Sequence, residues 1–368
     1  MLFLPPLREA RASGETPTMG IADDKGGGAM GKRSGSILWA IVGVLSGLLL
    51  APFSDARAQQ PIVIKLATGA EAHLSAGKGY GKFAELVNER ARGRVKVEPY
   101  YAGALGNEVT AVRNMLAGTV EMSTISDANL GAFSEALFFM NLPYVFDGTA
   151  GLRKAINEPW VREEINRTLA KSNMRALLFL DNGGPRHVLN NKRPVRTPAD
   201  LKGLKVRTTA SPVEVAIFKS WGSLPTPITW AEVYTALSQG TVDGEGLMYT
   251  WMYSTRHYEV VRYVTENAYV IGTQNGMIRL DFWNGLPKDI QEMMIQAAKD
   301  AEEWEAKVDA DFTRESQEKI AAAGVKIYTP TPGELKEWKG AVVPKVWDMF
   351  KDKVSAEFLN RIQEIQKK

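Results

Sequence analysis

Apolar residues recur along this chain at two spacings, and stretches of one spacing alternate with stretches of the other. Ile62–Ala67 reads as a buried strand that ends at Thr68-Gly69. Residues 75–92 place Tyr80, Phe83, Ala84 and Val87 on one helical face. Val95–Tyr100 alternates apolar and polar side chains as a second strand, residues 107–117 predict a helix stopped by Gly118, and residues 120–124 predict a third strand. Further on, residues 160–171 predict an amphipathic helix and residues 174–180 a strand. Asp181-Asn182-Gly183-Gly184-Pro185 then breaks the pattern with the chemistry of a hinge. Strands alternating with helices imply an α/β protein with a largely parallel sheet.

Two features suggest more than one compact body. Residues 287–323 form a single helical pattern, with Ile290, Met294, Ala297, Ala301, Trp304 and Val308 at spacings of three and four. At 1.5 Å per residue that is roughly 55 Å, longer than one small lobe, so the helix should span two. Ala117-Gly118-Thr119-Val120-Glu121 is echoed by Gln239-Gly240-Thr241-Val242-Asp243, the trace two similar lobes would leave. The apolar run over residues 136–147 reads as core.

The first 58 residues follow another pattern. Lys32 and Arg33 precede an apolar run over residues 37–51, and Ala56-Arg57-Ala58 supplies a small-x-small site. Together these make a secretory signal, so the mature chain is expected to begin near Gln59 and to be periplasmic. An uncleaved anchor is the competing reading, for which the run is short. Residues 26–32 imitate a phosphate loop, but Arg33 stands where the Mg²⁺-binding hydroxyl belongs and no strand precedes it.

Composition narrows the chemistry. About 310 residues remain after the leader, enough for two lobes. There is no cysteine, which closes disulfide and thiolate-metal readings. The three histidines, His73, His187 and His257, are scattered without metal spacing, and no nucleophile motif accompanies them. Catalytic residues, bound metal and cofactor are therefore not expected. His73 differs from the others in following the first strand, where it could face a cleft. The net charge of +3 is spread over interspersed signs, with no basic stripe for nucleic acid.

The most informative stretch is residues 186–247. Thr197-Pro198-Ala199-Asp200 is a helix start and Gly203 its stop. Leu204-Lys205-Val206 then reads as a short strand carrying Arg207 at its carboxyl end, where ligands of α/β sheets collect. A guanidinium there matches a carboxylate bidentately, and a surface ion pair is its ordinary alternative role. A second helix follows, with Thr229 and Glu232 spaced as a capping box and Gly240 as its stop.

TPADLKGLKVR over residues 197–207, followed by Pro225, Thr226-Pro227, Trp230, EVYTAL over residues 232–237 and Val242-Asp243-Gly244, resembles the DctP family. These are the extracytoplasmic solute-binding proteins of TRAP transporters, and the resemblance runs over roughly residues 62–365. It implies a two-lobe periplasmic binding protein fold, with a cleft between lobes, hinge strands and a long helix spanning both. The expected division is 59–183 with about 272–312 in lobe I, and 184–271 with about 313–368 in lobe II.

The resemblance also implies a function. The chain is expected to be a monomer that binds a small carboxylate and delivers it to the membrane subunits of a TRAP permease. Presentation of ligand to a receptor kinase is the alternative, and a small-molecule enzyme a more distant one. Arg207 is implied as the carboxylate clamp, Arg186 as its assistant, and Trp230 as the aromatic against the ligand body, with Tyr234 on the same helix. From the first lobe, strand ends nominate Ala70, Glu71, Ser126 and Asp127. Family members carry an amide where Leu247 stands here. That departure argues for a monocarboxylate with an apolar or aromatic body, packed on Trp230 and the Tyr249, Trp251 and Tyr253 cluster.

Overall fold

Nine strands form one mixed sheet in the computed structural model, which describes residues 60–367. They are β1 (Ile62–Ala67), β2 (Val95–Tyr100), β3 (Met122–Ser126), β4 (Met174–Asn190), β5 (Lys205–Thr208), β6 (Leu224–Pro227), β7 (Gly244–Leu247), β8 (Tyr263–Arg279) and β9 (Lys326–Tyr328). The order is β2-β1-β3-β8-β4-β7-β5-β6, with β9 also on β8.

The two ends of that order match. β1 lies parallel between β2 and β3, and β5 lies parallel between β6 and β7. The Gly118 and Gly240 echoes sit at corresponding places, each with positive φ after a helix and before β3 or β7. A sheet parallel throughout is not what forms. β3 meets β8, β8 meets β4 and β4 meets β7 in antiparallel register. β4 and β8 are each 17 residues long and run through both lobes.

Residues 181–185, expected as a break, lie inside β4. Asp181 pairs with Thr273 and Pro185 with Ile271, so three residues of β4 face Gly272 alone. Gly183 and Gly184 take φ of 84° and 80°, values that side chains with a Cβ resist. This is the bend in the hinge strands.

The helix Lys288–Ala322 has 35 residues, roughly 52 Å, and packs on the helix Ser75–Arg90, on β4 and on the helix Tyr249–Ser254. It therefore spans both lobes. Its buried face changes character partway. Ile290, Met294, Ala297, Ala298 and Ala301 are apolar, and Glu302, Glu305, Asp309 and Ser316 continue the stripe against the hinge. Trp304, expected on that face, is 39% exposed. The polar stripe is needed because the bend exposes backbone N–H groups, and Phe179 and Asp181 donate theirs to Glu302 and Glu305 at 2.9 and 3.0 Å.

Leu137, Phe138, Phe139 and Met140 are buried as expected, and helix Ala356–Lys367 closes over them, with Phe358 edge-on to Phe139 at 4.8 Å. No described helix is long and apolar enough to cross a membrane. Residues 1–58, with the expected leader, lie outside the described residues.

Candidate functional site

The carboxyl ends of β1, β3, β5 and β7 face one another across a cavity of about 280 Å³. Arg207, Trp230, Leu247 and Arg186 all line it, so four of the expected residues converge. Short β5 sets Arg207 between Val206, which is fully buried, and Thr208, and turns its side chain toward the cavity.

Arg207 is 4% exposed and donates from Nε to the Ile228 carbonyl at 3.1 Å. Its guanidinium lies 5.6 Å from the Trp230 ring centroid. Among the described residues it makes no ion pair. Burial pulls its pKa below the ordinary arginine range, and the charges of Glu245 and Glu214 partly offset this. A buried cation without a paired anion, lining a cavity, is a ready receptor for a carboxylate.

Arg186 is differently placed. Its Nη1 donates to Glu214 Oε1 and to the Gly246 carbonyl, each at 2.8 Å. Tyr269 donates to the same Glu214 oxygen at 3.0 Å, and Thr209 donates backbone and hydroxyl to the other, each at 2.7 Å. Burial pushes the Glu214 carboxyl up, but Arg186, Arg207 and Thr209 outweigh it and hold the group below the usual carboxylate range. Arg186 is thus tied within the floor of the pocket.

The first-lobe wall holds a carboxylate. Glu108 opens the helix Glu108–Leu116, whose N-cap is Asn107. Ser126 and Asn129 donate to its Oε2 at 2.8 and 2.7 Å, and Gln274 donates to Oε1 at 3.1 Å. Glu108, Asn129, Asn182 and Gln274 line the cavity and were not among the expected site residues. The loop after the second strand, with Gly103 and Gly106 before a capped helix, carried the same strand-end signal used elsewhere. Gln274 carried none, because a hinge strand contributes it from its middle.

Most of the other nominated residues stand outside the cavity lining. His73 and Glu71 lie 3.4 Å apart on the surface, with half-exposed side chains. Tyr234 is 37% exposed and donates to Glu259 at 3.2 Å. Asp127 is 1% exposed, accepts from Asn141 at 3.2 Å and leaves Oδ1 without a partner among the described residues. Burial pushes its carboxyl up to about 7. Ala70 enters the core while Gly69 beside it lines the cavity, and Ser126 lines it as expected. Of the aromatic cluster Trp251 lines the cavity and donates to Asn182 at 3.0 Å. Tyr249 donates to Glu266 at 2.8 Å, and Tyr253 stacks on Tyr258. Thr229, expected to cap its helix, donates its hydroxyl to Glu232 at 2.7 Å instead of accepting from the backbone.

A larger cavity of about 420 Å³ lies behind the hinge. Its Arg153 and Arg162 are each held at 2.6 Å by a carboxylate, Asp181 and Glu302, so neither is an open cation. Among the described residues no group of acids and histidines is arranged to hold a metal.

The chain matches the DctP model, described as bacterial extracellular solute-binding protein, family 7, over residues 66–353. It is 29% identical over 287 residues to the 2,3-diketo-L-gulonate-binding periplasmic protein YiaO of Escherichia coli, covering 77% of this chain and 86% of that protein. A TRAP periplasmic solute binding protein from Sulfurospirillum deleyianum, solved with bound succinate, is similar with a TM-score of 0.76 and 27% identity, over 83% of this chain and 100% of that one. A second, from Ralstonia eutropha with bound (S)-2-acetolactate, is similar with a TM-score of 0.77 and 26% identity, over 83% of this chain and 98% of that one.

Proposed function

Because this chain belongs to the bacterial extracellular solute-binding proteins of family 7, we propose that it captures a small organic acid in the periplasm and delivers it, as a monomer, to the membrane subunits of a TRAP permease. The family is one of binding proteins, not enzymes. The observation that carries the reading is Arg207, a buried guanidinium lining the cavity with no ion-pair partner among the described residues.

Arg207 clamps the ligand carboxylate as a bidentate fork, and Trp230, Trp251, Leu247 and Met248 pack on its body. Arg186, tied to Glu214, shapes the floor and adds field. Glu108 favours a ligand group that donates a hydrogen bond, and repels a second carboxylate. Leu247 offers no side-chain hydrogen bond. These features support a monocarboxylate with an apolar or aromatic body over a C4-dicarboxylate. Lobe I comprises residues 59–183 with about 272–312, and lobe II residues 184–271 with about 313–368. The last helix of lobe II reaches back onto Gly148–Asn157. Closure bends the strands at Gly183 and Gly184 and is favoured by the bound carboxylate.

A thermal-shift panel of 2-acetolactate, 2-oxoisovalerate, phenylacetate and succinate tests this. A ligand at about 1,000 times its Kd adds roughly 4 kcal/mol, a shift of several degrees. The monocarboxylates should give that shift and succinate none. A shift with succinate alone overturns the ligand class, and an undiminished shift in Arg207→Ala overturns the clamp.

A further inference from the structure

Behind the proposed carboxylate site lies a second pair of ionisable side chains. Glu245, on β7, is fully buried, and its Oε1 lies 2.5 Å from His257 Nδ1. Among the described residues its Oε2 has no partner. His257 is 2% exposed and stacks on Trp230, with ring centroids 5.0 Å apart and planes at 24°. Glu245 is also the residue opposite Arg207 in the β5–β7 register. The pair therefore touches the clamp from two directions, through the strand neighbour of Arg207 and through the ring beside its guanidinium.

We infer that the Glu245–His257 pair sets the charge of the ligand site, so that a proton on His257 strengthens carboxylate binding at Arg207. The inference rests on Arg207 as the clamp. With a neutral imidazole, the Glu245 carboxylate opposite Arg207 is uncompensated and weakens the pull of that guanidinium on an anion. Glu108 on the first-lobe wall adds the same repulsion whatever the state of His257. With an imidazolium, Glu245 is matched by His257, Glu214 by Arg186, and the charge of Arg207 is left for the ligand. Reciprocity requires that a bound carboxylate make His257 hold its proton more tightly. Of the charges acting on Arg207, that of Glu245 is the largest.

Other charged groups near the pair are accounted for. Tyr234, from the helix Val233–Ser238, lies 5.9 Å from His257, and its hydroxyl is tied to Glu259. Arg256 and Glu259, flanking His257, pair with each other at 2.6 Å on the surface. Asp127 titrates on its own account near the floor and needs a control.

His257 is a positioning residue, so its test reads protonation directly. The chain has three histidines, and ¹³C-labelled histidine NMR follows each from about pH 5 to about pH 9. Arg207→Gln should raise the His257 midpoint by about half a unit or more, since removing a nearby cation eases protonation. A His257 that does not titrate, or whose midpoint ignores Arg207→Gln, overturns the inference.

Calorimetry in buffers of different ionisation enthalpy gives a second measurement, independent of that variant's folding. With 2-acetolactate or phenylacetate as the probe, the wild type should take up a fraction of a proton per ligand and lose affinity as pH rises. His257→Gln should do neither. Uptake that persists in His257→Gln and vanishes in Asp127→Asn assigns the proton to Asp127 and overturns the inference. Failure of every carboxylate to bind would sink the clamp and this inference together, whereas binding without proton uptake sinks this inference alone.

Discussion

Arg186 donates to Glu214 at 2.8 Å in the buried floor of the cavity, whereas Arg207, lining the same cavity, makes no ion pair among the described residues. Two arginines that look alike in sequence therefore have different partners. Breaking one partner of a buried pair leaves the other charge uncompensated, at a cost of about 3–5 kcal/mol. Glu214→Gln and Arg186→Met should each lower the urea midpoint accordingly. A loss of stability below about 1 kcal/mol for both would contradict this assignment.

Arg207 variants should lose binding and keep the fold. Removing one partner of a buried, hydrogen-bonded charge pair costs about 2–5 kcal/mol, or roughly 30- to 4,000-fold in affinity. Arg207→Ala should abolish binding by calorimetry, and Arg207→Lys should bind poorly, because a point charge lacks the planar fork. Unchanged or raised melting temperature without ligand would accompany the loss, since a buried unpaired cation is removed.

Asp127 should make stability fall with rising pH. Burial lifts its carboxyl from 3.8 to about 7, so the folded protein holds a proton that the unfolded chain releases. That contribution is fully present below about pH 4 and is lost as pH rises toward 7. Asp127→Asn cannot ionise and should gain on the wild type across this window, by at most about 4 kcal/mol, then run parallel above it. Urea unfolding at pH 5 and pH 8 checks the sign, and a gain that shrinks with pH would refute it.

Gly183 has φ of 84°, and a Cβ there would overlap the Thr250 hydroxyl. Gly183→Ala should cost about 1–3 kcal/mol and alter the lobe equilibrium, visible as a changed radius of gyration in X-ray scattering. Gly203→Ala, whose added Cβ meets nothing, is the control for backbone strain alone.

The leader is tested by N-terminal sequencing of exported protein, which should begin near Gln59. A mature chain retaining residues 37–51 would instead indicate an anchor.

Much of this protein is local and was legible in its sequence. Ile62–Ala67, Val95–Tyr100 and the helix Lys288–Ala322 follow from periodicity alone, because burial on one face repeats at the period of the element. Gly183 and Gly184 mark the hinge, because their backbone freedom is a property of the residue. Arg207 and Trp230 were legible from a linear motif and reach the cavity as expected.

Tertiary structure decided which partners those residues meet. The antiparallel crossing of β4 and β8 gives a mixed sheet, which periodicity cannot distinguish from a parallel one. Arg186, expected to assist the clamp, meets Glu214, 28 positions away, at 2.8 Å. Glu108 and Gln274 meet at 3.1 Å across 166 positions. Trp304 fits the helical stripe, yet the hinge requires carboxylates at Glu302 and Glu305 to receive its free N–H groups. Period and propensity belong to neighbours along the chain, but charge compensation and hydrogen-bond satisfaction belong to neighbours in space, which only the folded sheet assigns.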